Sequence, residues 1–274
     1  KGSVSAFLRS VFECAGLKTG MFTSPHLVDF RERIQVQGDM ISKEDTMRLG
    51  NRLLSMDFGV YPTMFDYCLA MALLYFKEQQ CDVVILETGL GGTYDSTNAC
   101  GVPDVTVIAK IGFDHMAILG DTLAQIAAEK AGIIKHGTAL VLESQEKEAM
   151  DVLNKAAERA DIKTTKVVNL DEIRILPQKD GKQCFSYAGY DAVTMKMLGV
   201  HQYENAVAAM LAAELFFEKY LAGKKNVPER KALQHAIREG IDRTQWMGRM
   251  ELVSNDPFFL MDGAHNSNGV EALK

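Results

Sequence analysis

Residues 82–92 read DVVILETGLGG: an unbroken apolar run, an acid at position 87, then a glycine-rich turn. A short continuous apolar strand between helical segments is covered on both faces, and such strands belong to parallel sheets flanked by helices. The pattern recurs outward from this stretch. VTVIAKI (105–111) and TALVLE (138–143) are two more such runs, and Thr19–Thr23 and Ile34–Val36 read as further strands. Between the runs the apolar spacing becomes helical. Val4, Phe7, Leu8, Val11, Phe12 and Ala15 share one helix face, with Gly16 just past its end. Helices are expected over Ser3–Ala15, 42–56 with Ser42 as cap, 64–80, 121–135, 201–221 and 228–240. Residues 173–197 differ: strand-like segments flank Asp180-Gly181, a hairpin signal, so a small antiparallel sheet is expected there. After Arg243 a linker leads to PFFLMDGAHN (257–266), the expected start of another strand–helix unit.

The chain has 274 residues, enough for one large domain or two smaller ones. A net charge of −6 with no basic run argues against a nucleic-acid partner. Five cysteines without a C-x-x-C pair point to reduced thiols in a cytoplasmic protein, not to a disulfide frame or a zinc site. The longest apolar run, Cys68–Phe76, is too short to cross a bilayer. A soluble monomer acting on small molecules is expected.

Four features carry chemistry. Ligands of open α/β sheets bind beyond the carboxyl ends of the strands. Glu87, at such an end, is placed either to hold Mg²⁺ or simply to close a tight turn. Asp114 and His115 follow the next apolar strand, and the two strand ends are neighbours if the strands pair. Lys1, Gly2 and Ser3 stand at a helix N-terminus, where free N–H groups and the helix dipole favour an anion. They suit either a phosphate loop or a plain Ser-capped helix. Lys130 lies on the apolar stripe Leu123, Ile126, Ala127, Ile134, while Glu129 points away. A lysine there is costly unless it snorkels, pairs or is modified. A neutral amine is nucleophilic and can take up CO₂ as a carbamate, an anion able to bind Mg²⁺.

These features occur together and in order: KGS (1–3), TSPHL (23–27), ETGLGG-x-x-D-x-TN (87–98), IG-x-DH (111–115), EKAGIIK (129–135), HQ-x-x-NA (201–206), GRME (248–251) and DGAHN (262–266). The set closely resembles folylpolyglutamate synthases and the bifunctional dihydrofolate synthases of the ATP-dependent Mur ligase superfamily. The resemblance runs from Lys1 to the end, and in that family the first motif reads TNGKGS. It implies an α/β fold: a P-loop-type, mostly parallel sheet flanked by helices with a small antiparallel region. Residues 1–243 would form the ATP-binding central domain, and 244–274 the linker and beginning of a second α/β domain. The piece from Arg249 onward is too short to bury a core of its own.

The resemblance also implies roles. Lys1, Gly2 and Ser3 would be the phosphate-loop remnant. Ser24, Glu87 and His115 would hold Mg²⁺, with Lys130 as a carbamylated lysine beside them, and Glu87, His115 and Lys130 would be the catalytic set. Asn205 would meet adenine, Arg249 the ATP phosphates and Asp262 the ribose, with His265 and Asn266 in the same motif. Thr23, Ser24, Pro25 and His26 would face the folate or dihydropteroate, together with Asp95 on the pterin. The implied reaction joins L-glutamate to a folate, using ATP and Mg²⁺, through an acyl phosphate. A peptidoglycan-type Mur ligase and an inactive nucleotide-binding protein are the alternatives. Two positions depart from the family pattern: Thr93 stands where Arg is usual, and Met247 where Pro is usual.

Overall fold

The computed structural model describes residues 1–221, 229–264, 269–270 and 273. Helix α1 (Gly2–Cys14) leads into β1 (Thr19–Phe22), and β2 (Ile34–Val36) and β3 (Asp39–Met40) follow. Helices α2 (Lys43–Leu54) and α3 (Met64–Glu78) precede β4 (Val83–Leu86). These strands form one sheet in the order β3-β2-β1-β4, in which only β1 and β4 are parallel. A second sheet is wholly parallel: β5 (Val105–Ile108), β6 (Ala139–Leu142) and β7 (Thr165–Val167). Between β5 and β6 lie the one-turn α4 (Met116–Leu119) and α5 (Leu123–Ala131); α6 (Lys147–Arg159) joins β6 to β7.

The expected antiparallel region is present as three strands, β8 (Arg174–Lys179), β9 (Lys182–Tyr187) and β10 (Tyr190–Met195). Asp180 and Gly181 both take positive φ, 52° and 74°, as a tight hairpin turn with the right twist demands. Helices α7 (His201–Leu221) and α8 (Arg230–Arg243) follow. The chain then forms a hairpin of β11 (Glu251–Asn255) and β12 (Phe258–Met261). That corrects the single strand expected there: ELVSN adds a partner strand. Phe258 and Phe259 are exposed at 72% and 54%.

Local signals start the helices. Ser42 accepts from the N–H of Asp45, and Thr63–Asp66 and Thr122–Gln125 form capping boxes. Helix α1 goes further than its one-face pattern. Ser3, Ser5 and Ser10 are buried along with Phe7 and Val11, because the sheet covers one side and α7 and α8 the other. Gly240 of α8 makes that enclosure possible: a Cβ there would lie 2.6 Å from the backbone N of Val11.

The parallel strands do not form one continuous sheet. Strand β4 pairs with β1 and β5 with β6, and among the described residues no strand pairing joins β4 to β5. His115 lies well beyond the end of β5, at the start of α4. The expectation that Glu87 and His115 end neighbouring strands is therefore corrected.

Alanine in mid-helix is ordinarily favoured over glycine by up to ~1 kcal/mol. At position 240 the sign should reverse. Gly240→Ala is expected to lower the unfolding free energy by about 2–3 kcal/mol, as overpacked cores do, measured by denaturant unfolding. Unchanged stability would show that α1 and α8 do not pack backbone to backbone.

Candidate nucleotide and metal site

The tips of β1 and β4 and the N-terminus of α1 meet at Glu87. Its backbone N–H donates to the carbonyl of Phe22 at 2.9 Å, which fixes the strand tip. Its side chain is 7% exposed, and Oε2 accepts from the N–H of Ser24 at 3.2 Å. A Cβ on Gly2 would sit 3.8 Å from Oε1 of the same carboxylate and 3.0 Å from the indole nitrogen of Trp246. Glycine is what lets the start of α1 come this close. The Lys1 ammonium donates to the carbonyls of Thr88 and Gly89 at 2.8 and 3.0 Å, tying it to the glycine-rich turn.

Ser3 connects this corner to α7. Its hydroxyl accepts from the side-chain amide of Gln202, and Gln202 in turn accepts from Asn205 at 3.0 Å. Gln202 is fully buried. Sequence reasoning singled out Asn205 and passed over Gln202, although it lies in the same HQ-x-x-NA motif. Lys1, Ser3, Glu87, Lys130, Asn205 and Arg249 all line one cavity of about 1170 Å³.

The glycine-rich turn is locked from two sides. Asp95 accepts from the N–H groups of Leu90 and Thr97, at 2.9 and 3.0 Å, so its carboxylate already organises the turn. Thr93, the residue that departs from the family pattern, donates through its N–H and its hydroxyl to the carbonyl of Glu129. Gly132 leaves room for it, since a Cβ at 132 would lie 2.7 Å from the Thr93 nitrogen. The end of α5 is thereby pinned to the turn, and Lys130 with it. Burial pushes the Lys130 ammonium below its usual range; the positive charge of Lys1 acts in the same direction and Asp114 opposes both.

The TSPHL segment is held by Glu32, which sequence reasoning missed. Its carboxylate accepts from the N–H groups of Leu27, Val28 and Asp29 at 2.7, 2.8 and 2.6 Å. Burial pushes the Glu32 carboxyl up, but these backbone donors outweigh it, and the net shift is downward. The available signal was Glu32 three residues after Asp29, a capping box around a short 3₁₀ turn. Thr23 is buried, Ser24 reaches Glu87, and the His26 ring accepts from Arg33 at 2.9 Å. Pro25 follows a cis peptide bond.

His115 immediately precedes the one-turn α4. It has φ of 51°, its side chain is 53% exposed, and its nearest charged partner is Asp114 at 3.8 Å. Among the described residues no cluster of three or more His, Cys, Asp or Glu side chains is placed to hold a metal. The structure thus unites Ser24 with Glu87. Asp262 accepts from the N–H groups of Met250 and Ala264, at 2.8 and 2.7 Å, and so shapes the end of the β11–β12 hairpin. His265 and Asn266 lie outside the described residues.

Residues 60–213 match the family described as the Mur ligase middle domain. The match covers more than half of the chain, which belongs to that family. Over its whole length the chain is 40% identical to the dihydrofolate synthase/folylpolyglutamate synthase of Bacillus subtilis (strain 168), covering 64% of that protein. It is 35% identical to a folylpolyglutamate synthase of Arabidopsis thaliana, with 99% of the chain and 48% of the relative aligned. The chain therefore spans about half to two-thirds of the length of these curated relatives. Among solved structures, a complex titled FPGS-AMPPCP superposes with a TM-score of 0.87 at 28% identity, covering 100% of this chain and 68% of the other. E. coli FolC in complex with DHPP and ADP superposes with a TM-score of 0.82 at 30% identity, covering 99% and 61%.

Glu32 supplies the test of how the TSPHL segment is held. Its folded pKa is depressed, so its contribution exists above the unfolded carboxylate value of about 4.3 and is lost as pH falls through the folded pKa. Glu32→Gln is expected to cost about 1–3 kcal/mol at neutral pH. Amide exchange at Leu27, Val28 and Asp29 should quicken, and the difference from wild type should vanish in acid. A stability gap that persists unchanged in acid would refute the ionised cap.

Proposed function

We propose that this member of the Mur ligase family forms the nucleotide- and metal-binding core of an ATP-dependent ligase that joins L-glutamate to a folate or to dihydropteroate. The observation that carries the reading is the buried Glu87 carboxylate, held by the Ser24 N–H at the tip of β4 and facing the N-terminus of α1. A helix N-terminus beside a buried acid suits a nucleotide phosphate together with a divalent cation. The relatives named above supply the reaction class.

In this reading residues 1–243 are the nucleotide-binding domain, and the hairpin after Arg243 begins the domain that completes the cleft. Lys1, with the free N–H groups of Gly2 and Ser3, grips the phosphates. Asn205 meets the base, and Arg249 approaches the phosphates from the far side of the cavity. Glu87 and the Ser24 hydroxyl are oxygen donors of the kind Mg²⁺ prefers; when bound, the ion would offset charge on the phosphates. His115, at the start of α4, is the third ligand in this reading. The folate carboxylate attacks the γ-phosphorus, ADP departs, and the glutamate amine displaces phosphate from the acyl phosphate to leave an amide. No side-chain nucleophile takes part, so these residues act by positioning and charge.

Lys130 has the surroundings for a carbamate. Its amine is partly buried and shifted toward the neutral form. That form adds to the carbon of CO₂ and loses one N–H proton to solvent, placing a new anion beside the glycine-rich turn.

Two substitutions in the full-length protein test this function, read as ADP release with ATP, Mg²⁺, L-glutamate and either a reduced folate or dihydropteroate. Glu87→Gln should lower kcat by on the order of 10² or more. Near-normal turnover would remove Glu87 from the site. Lys130→Ala should lose activity and regain part of it with added formate or acetate. Turnover with a nucleotide-linked muramyl acceptor, and none with folates, would shift the assignment to the peptidoglycan branch.

A further inference from the structure

The motifs ETGLGG-x-x-D-x-TN and EKAGIIK hold two polar residues outside the nucleotide and metal set, Asn98 and Lys135. The structure joins them. The side-chain amide of Asn98 donates to the carbonyl of Thr93 and to that of Gly132, both at 3.1 Å. Both partners are carbonyls, so the nitrogen and not the oxygen of the amide must face them. One NH₂ group thereby bridges the glycine-rich turn and the residue that ends α5. The Asn98 backbone is fixed as well. Its N–H donates to the carbonyl of Asp95 at 2.9 Å, inside a short 3₁₀ turn. Its carbonyl accepts from the Lys135 ammonium, which also donates to the carbonyl of Gly101 at 2.8 Å.

This bridge falls where α5 needs it. A helix leaves its last carbonyls without partners of its own. At the end of α5 the turn supplies them: Thr93 donates to Glu129 through its N–H and its hydroxyl, and Asn98 donates to Gly132. Lys130 stands between those two anchored residues. Gly92 seats on the same stretch of backbone, since a Cβ there would lie 2.7 Å from the Glu129 oxygen and 3.1 Å from the Lys130 Cα. Lys130 and Asn98 line the same cavity as Glu87. The four-carbon stem of a lysine is flexible, so the place its amine reaches depends first on where its Cα is held.

We propose that Asn98 is a positioning residue for Lys130: it clamps the end of α5 to the glycine-rich turn, and Lys135 holds it in place. The catalytic half of this rests on Lys130 serving the ligase reaction; the clamp itself does not.

Variants of the full-length protein test both halves. Asn98→Ala should quicken amide exchange at Thr93 while leaving the unfolding midpoint near wild type. It should lower kcat about tenfold or more, as a misplaced group does, with KM for ATP unchanged. Asn98→Asp has the same shape but turns oxygens toward the two carbonyls, and should lose at least as much. A wild-type rate in Asn98→Asp would overturn the clamp, as would a Thr93 amide equally protected in wild type and Asn98→Ala. Fast exchange at Thr93 with a normal kcat would refute the positioning role. The double variant separates positioning from general support. With formate added, Lys130→Ala should turn over at the same rate with or without Asn98→Ala, because no lysine remains to be placed. A second loss there as large as that in the wild type would refute the route through Lys130. Wild-type turnover by Lys130→Ala without formate would remove Lys130 from the reaction, and Asn98's catalytic part with it, while exchange at Thr93 still decides the clamp.

Discussion

The enclosure of α1 governs this molecule. A helix whose first two turns, Gly2–Leu8, are buried cannot slide or tilt without breaking contacts with the sheet, α7 and α8 at once. Its register is fixed by the approach of Val11 to Gly240, and its first turn by Gly2 against Trp246 and Glu87. The helix N-terminus is therefore held at the strand tips with little freedom. A site that works by placing phosphates against fixed dipoles needs that rigidity more than it needs any reactive side chain. Gln202 extends the constraint, since one buried amide links the α1 hydroxyl at Ser3 to Asn205 on α7.

Much of the fold was legible because its signals are local. The capping residues, the Asp180-Gly181 turn and the apolar runs each specify an element through short-range chemistry, and the structure has those elements where the sequence places them. Helix α6 and strands β3, β7 and β11 were not read, and the rest of what escaped was relational. The apolar runs of β4 and β5 look alike, but nothing in either run says whether the two strands touch. The burial of α1 beyond one face was likewise hidden, because serines at 3, 5 and 10 read as a polar face until α7 and α8 cover them.

At the site, the residues legible in sequence were those whose motif names a ligand, and the ones missed hold other protein groups. Glu32 gathers main-chain N–H groups and shows only the capping spacing from Asp29, while Gln202 joins the side chains of Ser3 and Asn205 from within a motif read for its asparagine alone. Asp95 shows the converse. Its motif marks it for a substrate, while its carboxylate is also engaged in shaping the turn that displays Glu87.

The contact between Thr93 and Gly132 has a consequence for how this lineage can diverge. Thr93 occupies the space that any side chain at 132 would need, and it spends both of its donors on the Glu129 carbonyl. Position 132 cannot gain a side chain by itself: a Cβ there demands a retreat of the backbone at 93. Position 93 is the freer of the two, since a longer residue can leave the turn by another route, and a threonine already stands there beside an unchanged glycine. Variation in this corner is therefore one-sided, open at 93 and closed at 132.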